Sequence, residues 1–108
     1  MELVNDVDDR ARALAALRFR ALGDETRLRL LEVLTTGERC VADLMDTLGL
    51  GQSLVSHHLR SLRESGLVTV RREGRWIYYS IAEAALASVR LTVYELEPLR
   101  SGPQLDVV

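Results

Sequence analysis

The sequence predicts a mostly α-helical domain that carries a small β-hairpin before its last helix, an α+β arrangement. Three observations predict it. Apolar residues recur at helical spacing through most of the first 65 positions. The period then switches from 3.6 to 2 across residues 67–81, around Glu73 and Gly74. A helical pattern resumes from residue 82. With 108 residues and 47% hydrophobic content, the chain is the size of one domain and can bury a real core. Residues 1–108 therefore read as a single domain, with 1–7 and 98–108 expected to be loose tails.

The elements follow in order. The segment from about 8 to 22, DDRARALAALRFRAL, is rich in Ala, Leu and Arg and holds no Gly or Pro, which favours a helix. Gly23 breaks it, and Asp24 stands where an N-cap belongs. In ETRLRLLEVLTT, Leu28, Leu30, Leu31, Val33 and Leu34 make an apolar face so broad that it implies burial between other elements. Gly37 ends that helix. VADLMDTLG runs from 41 to about 48 and, after the turn LGLG, QSLVSHHLRSLRES runs from about 52 to 65. Gly66 is placed for a left-handed C-cap. A short helix, a tight Gly-containing turn and a second helix is the helix-turn-helix pattern. LVTVRR and RWIYYSI then read as strands joined by Glu73-Gly74, with Gly second as a type I′ turn prefers. AEAALASVRLTVYEL, from 82 to 96, reads as a last helix stopped by Pro98. Together these elements lay out a winged helix-turn-helix: mostly α, with a small β-hairpin wing.

The net charge of −2 argues at first against a nucleic-acid partner. Its distribution reverses that impression. From Gln52 to Ser80, Arg60, Arg63, Arg71, Arg72 and Arg75 face only Glu64 and Glu73, a net of +3, so the remainder sums to −5. A basic segment on an acidic body faces phosphate while the body resists non-specific adhesion. The single cysteine, Cys40, cannot form an internal disulfide and suits a reducing cytoplasm. No apolar run is long enough for a membrane span, and the acidic start MELVNDVDDR does not resemble a signal peptide.

The 52–65 helix sorts its side chains by face. Val55, Leu59 and Leu62 fall within about 60° of arc and face the core, while Ser53, Ser56, His57 and Arg60 lie opposite. With Gln52 at the helix start, these are short hydrogen-bonding groups and one long cation, suited to the major groove of double-stranded DNA. A merely solvated helix face would carry similar residues. His58, on the flank of the apolar side, reads as a packed boundary residue rather than a base reader or metal ligand. Arg71, Arg72 and Arg75 cluster around the hairpin tip and repel one another unless anions such as backbone phosphates are present. Protection of an exposed sheet edge is the other use for such charges. A protein-interaction module built on this fold remains an alternative, though the Arg-rich hairpin counts against it. No nucleophile elbow, phosphate-cradling Gly loop or set of paired carboxylates points to an enzyme, and no organic cofactor is expected.

ALGDETRLRLLEVL (21–34), ERCVADL (38–44), SLVSHHLRSLRESGLV (53–68) and EGRWIYYSI (73–81) resemble, in order, the ArsR/SmtB family of metal- and stress-responsive repressors. The resemblance implies a dimeric winged helix that binds an operator with inverted-repeat symmetry and is released by an inducer. It also implies that the first and last helices pair across a two-fold axis. Leu14, Leu17 and Ala21 on the first helix, with Leu86, Val89, Val93 and Leu96 on the last, form stripes that suit such a homodimer or packing within one chain. ERCVADL is similar to the family's stretch for thiophilic ions, with Cys40 at the first cysteine position and Asp43 at the acidic one. Ala42 replaces the second cysteine, so a site for arsenite, cadmium or a similar ion is incomplete. The acids Asp6, Asp8 and Asp9 suit soft ions badly. The family's zinc site on the terminal helix is expected to be absent: Glu83 matches its first acid, but Ala85 and Leu96 stand where histidines belong. Three readings of Cys40 stay open: a packed small hydrophobe, an ion sensor, or a thiol open to oxidation or another adduct.

Overall fold

Leucines and valines spaced for helices meet in one core. Leu30, Leu44, Val55, Leu59, Leu62 and Leu67 are almost wholly buried, and Leu31, Leu34, Leu48 and Val68 extend the cluster. The computed structural model describes the backbone of residues 2–98 and the side chains of residues 8–98. Its order is α1 (Glu2–Leu22), α2 (Glu25–Leu34), β1 (Arg39–Cys40), α3 (Val41–Leu48), α4 (Gln52–Glu64), β2 (Val68–Glu73), β3 (Trp76–Ile81) and α5 (Glu83–Glu95).

Local chemistry sets the boundaries. Asp24 takes an extended conformation (φ −133°, ψ 129°) and its Oδ1 accepts the Arg27 backbone N–H at 3.0 Å, starting α2. The end of α4 is a Schellman motif. Gly66 sits at φ +78°, its N–H donates to the Arg63 carbonyl at 3.0 Å, and the Leu67 N–H donates to the Leu62 carbonyl at 2.9 Å. The same turn docks α1, because Arg18 Nε donates to the Ser65 carbonyl at 2.9 Å. The chain then enters β2 with Leu67 and Val68 buried.

The sheet is antiparallel in the order β1-β3-β2. β2 and β3 pair from Val68 opposite Ile81 to Glu73 opposite Trp76. Two residues of β1 cover the other edge of β3, Arg39 opposite Tyr79 and Cys40 opposite Tyr78. Tyr79 and Ile81 point to the core. By alternation Trp76, Tyr78 and Ser80 share the outer face with Thr69, Arg71 and Glu73.

The structure departs from the sequence expectations at four places. α1 begins at Glu2, not near residue 8, so the expected N-terminal tail is helical backbone from its second residue. The expected C-terminal tail lies, from residue 99 on, outside the described residues. The hairpin loop is Gly74-Arg75, one residue later than expected, with Gly74 at φ +61° and no positive φ at Arg75. That is the φ pattern of a type II′ turn, which takes Gly first, not type I′. β1 has no signal in the sequence, since a two-residue strand has no period to detect. Lastly, Ala21 (6% exposed) and Val89 (9% exposed), expected on the pairing stripes, belong to the core of their own chain.

Candidate nucleic-acid interface

α4 is held by its inner side and leaves its outer side free. Val55, Leu59 and Leu62 are fully packed, while Gln52, Ser53, His57 and Arg60 are exposed and Ser56 is half-buried. The helix start carries no side-chain cap, because Gly51 precedes it. Its first backbone N–H groups therefore remain open to an acceptor such as a phosphate oxygen. Every candidate reading residue of α4 thus lies on one accessible surface.

His58 is only 7% exposed and is held from the side by Arg27 of α2, whose Nη1 lies 3.1 Å from His58 Nδ1. A guanidinium has no acceptor, so Nδ1 accepts and the ring proton sits on Nε2. Burial holds the His58 pKa below the usual histidine value, and the Arg27 and His57 charges add to that effect against the pull of Asp24. The same Arg27 donates from Nε to the Ala21 carbonyl at 2.7 Å. The rings of His57 and His58 meet edge to face, with centroids 5.1 Å apart.

In the wing, the three arginines divide. Arg72 and Arg75 are exposed. Arg71 is exposed too, its side chain to 50%, but is paired: it donates to both Glu38 oxygens at 2.6 and 3.2 Å, to Glu73 Oε1 at 2.8 Å, and lies 4.7 Å from the Tyr78 ring centre. The hydrogen bonds to Glu38 and Glu73 raise the Arg71 pKa, and the hydrogen bonds from Arg71 hold the Glu38 carboxyl below its usual range. Arg71, grouped by sequence with the phosphate-facing cations, thus also ties the wing to the segment before β1. Trp76, which sequence reasoning did not single out, is 53% exposed beside Arg75 at the wing tip. Its position after the turn, on the outward parity of β3, was the signal available.

Cys40 is half-buried at the N-cap of α3 and makes no side-chain capping bond. Asp43 is exposed one turn on. Among the described residues no three His, Cys, Asp or Glu side chains gather into a potential metal site. No described helix is long and apolar enough to cross a membrane.

α1 and α5 share an apolar outer band. Leu14, Leu17, Phe19, Leu91, Val93, Tyr94 and Leu96 are exposed, and Leu86 is half-buried. Between the two helices runs a groove of about 460 Å³, lined by Ala11, Ala15, Ala16, Phe19, Thr92 and Leu96 among others.

A helix-turn-helix with a hairpin wing defines the class. The family model for the bacterial regulatory proteins of the arsR family matches residues 24–70, from the α2 cap through α4 into β2. An HTH-type transcriptional regulator of Methanocaldococcus jannaschii, itself uncharacterized, is 40% identical over 76% of this chain and 93% of its own length. The chain belongs to the ArsR/SmtB family of winged helix-turn-helix transcriptional regulators. A transcriptional repressor SmtB homolog of Synechocystis is 47% identical over 69% of this chain, which spans only 56% of that relative's length. Among solved structures, the homodimeric winged helix-turn-helix DNA-binding domain from Mycobacterium bovis superposes with a TM-score of 0.71 at 32% identity, over 83% of this chain and 85% of that one.

Proposed function

We propose that this regulator is a cytoplasmic, sequence-specific repressor that binds inverted-repeat operator DNA as a homodimer and is released by an inducer. The observation that carries the reading is α4: its inner side is wholly packed, and its outer side presents Gln52, Ser53, Ser56, His57 and Arg60, with Leu54, 43% exposed, the one large apolar side chain on its flank. The exposed Arg72 and Arg75 supply phosphate contacts beside it. The repressor in Synechocystis and the homodimeric M. bovis domain support the same reading. The apolar band of α1 and α5, with Leu14, Leu17, Leu86 and Val93, is the surface for the second copy. Val89 lies beneath that surface, in the core of its own chain. Two reading helices would then meet half-sites about one helical turn apart, ~34 Å. The test is selection from a random duplex pool, followed by titration of the winning sequence with Arg60→Ala and His57→Ala. Unchanged relative affinities for altered half-sites would remove α4 as the reader.

For the inducer, a thiophilic ion such as arsenite or cadmium at Cys40, with Asp43 beside it, remains one reading. A signal at residue 40 would reach the wing directly, because the Cys40 backbone pairs with Tyr78 of β3. Soft ions take three or four ligands, however, and one thiolate with one carboxylate falls short. That shortfall favours the second reading, a non-metal signal or none. Release of DNA by arsenite or cadmium from wild type but not from Cys40→Ser would establish the first. Release that persists in Cys40→Ser would establish an inducer that acts elsewhere.

A further inference from the structure

We propose that Arg27 is a positioning residue for DNA reading: clamped between the end of α1 and His58, it sets the angle at which α4 presents His57 and its neighbours to bases. The inference rests on the DNA-binding reading above and goes beyond it, because Arg27 and His58 face away from the outer side of α4.

One guanidinium serves three elements. Arg27 Nε and Nη2 donate to the Ala21 and Arg20 carbonyls at the end of α1, at 2.7 and 3.5 Å. Its own backbone N–H is held by Asp24, the N-cap of α2. Its Nη1 reaches His58 Nδ1 across a sequence separation of 31. His58 packs against the reading residue His57. Hydrophobic contacts alone leave a helix free to rotate slightly about its axis, since they lack direction. A hydrogen bond from a fixed fork to a ring nitrogen is directional, so it specifies rotation where the leucines specify only burial.

The clamp works only while His58 is neutral at Nδ1. A proton there removes the acceptor and sets imidazolium against guanidinium at 3.1 Å. The charged and titratable groups acting on His58 are Asp24 and Arg27 from the α2 side and His57 on α4 itself. Asp24 alone favours protonation. Its carboxylate is already committed to the α2 cap and does not replace the lost acceptor. Base discrimination is therefore expected to fall in mild acid, while phosphate contacts made by Arg72 and Arg75 persist.

The experiment compares wild type, Arg27→Met, His58→Leu, His58→Asn and His57→Asn. Asn places an amide oxygen near the Nδ1 position and cannot be protonated. Affinity is measured by fluorescence anisotropy from about pH 8 to 5.5, across the histidine range. The probes are the duplex enriched by wild type from a random pool and a scrambled duplex of equal length, and melting curves verify that each variant is folded. The expected result has three parts. Arg27→Met and His58→Leu lose discrimination roughly tenfold, the scale of one charge-assisted hydrogen bond, with scrambled-duplex affinity kept. Wild type loses discrimination in acid. His58→Asn keeps it throughout. Wild-type discrimination in Arg27→Met would overturn the clamp. So would an acid loss that survives in His58→Asn but vanishes in His57→Asn. If no sequence is enriched, the repressor reading fails by itself. The clamp is then decided by ring-nitrogen NMR of wild type, where protonated Nδ1 at neutral pH would overturn it and α4 amide shifts that follow His58 protonation would support it.

Discussion

A single side chain, Asp24, shows how far local chemistry reaches. An acid after a glycine and before a leucine-rich run is a cap signal in any sequence, and the structure places its carboxylate on the Arg27 N–H. That hydrogen bond, first among its causes, lowers the Asp24 pKa. A carboxyl with a depressed folded pKa contributes stability above its unfolded value, and the contribution is lost as pH falls through the folded one. Asp24→Asn, which keeps an acceptor but no charge, is therefore expected to flatten the acid limb of the stability curve below about pH 4, as followed by thermal melts at stepped pH. The partner of His58 was not legible in the same way. Burial of His58 follows from its position on the flank of the apolar face, but Arg27 is distant in the chain, and only packing of α2 on α4 brings it there. Exposed wing cations behave more simply. Arg72→Ala and Arg75→Ala should weaken binding about equally on operator and scrambled DNA, each reducing the slope of log affinity against log salt by about one per chain.

At the level of elements, the wing is where periodicity informed and misled at once. Alternation across residues 67–81 located both strands, because one face of each must reach the core. The turn type is not legible in the loop residues, because the pairing of Glu73 with Trp76 is decided by where Val68 and Ile81 meet, not by the loop alone. β1 is a product of tertiary contact: its two residues gain order by covering the open edge of β3. The strap from Arg71 to Glu38 fastens the hairpin to the approach to β1. Arg71→Met is accordingly expected to leave the salt slope unchanged, in contrast to Arg72→Ala, and to increase hydrogen exchange in the hairpin. Glu38→Gln should do the opposite at the DNA, raising the slope by freeing a cation. Parallel salt titrations of the variants check both outcomes.

For the whole molecule, α5 explains what the apolar pattern alone could not separate. Ala85 and Val89 pack inward, while Leu91, Val93, Tyr94 and Leu96 are exposed. Val89, Val93 and Leu96 fall within about 60° of arc on α5, so the sequence shows one stripe, and only packing decides that Val89 is buried while Val93 and Leu96 are not. The outer band exposes Tyr94 to 67% and Leu96 to 75%, a cost in water that a second copy would remove. Leu91→Glu, which leaves the core untouched, should shift the protein to monomer in light scattering and weaken operator binding in the same variant. A dimer that persists would place the partner on another face. If the band is what joins two reading helices, a further consequence concerns dose. Where subunits are mostly separate, the concentration of dimer grows as the square of total protein. Operator occupancy would then rise with that square, and a twofold change in expression would act on the promoter nearly fourfold. A modest apolar seam between α1 and α5 would thus set how sharply the regulated gene responds to the number of regulator molecules in the cell.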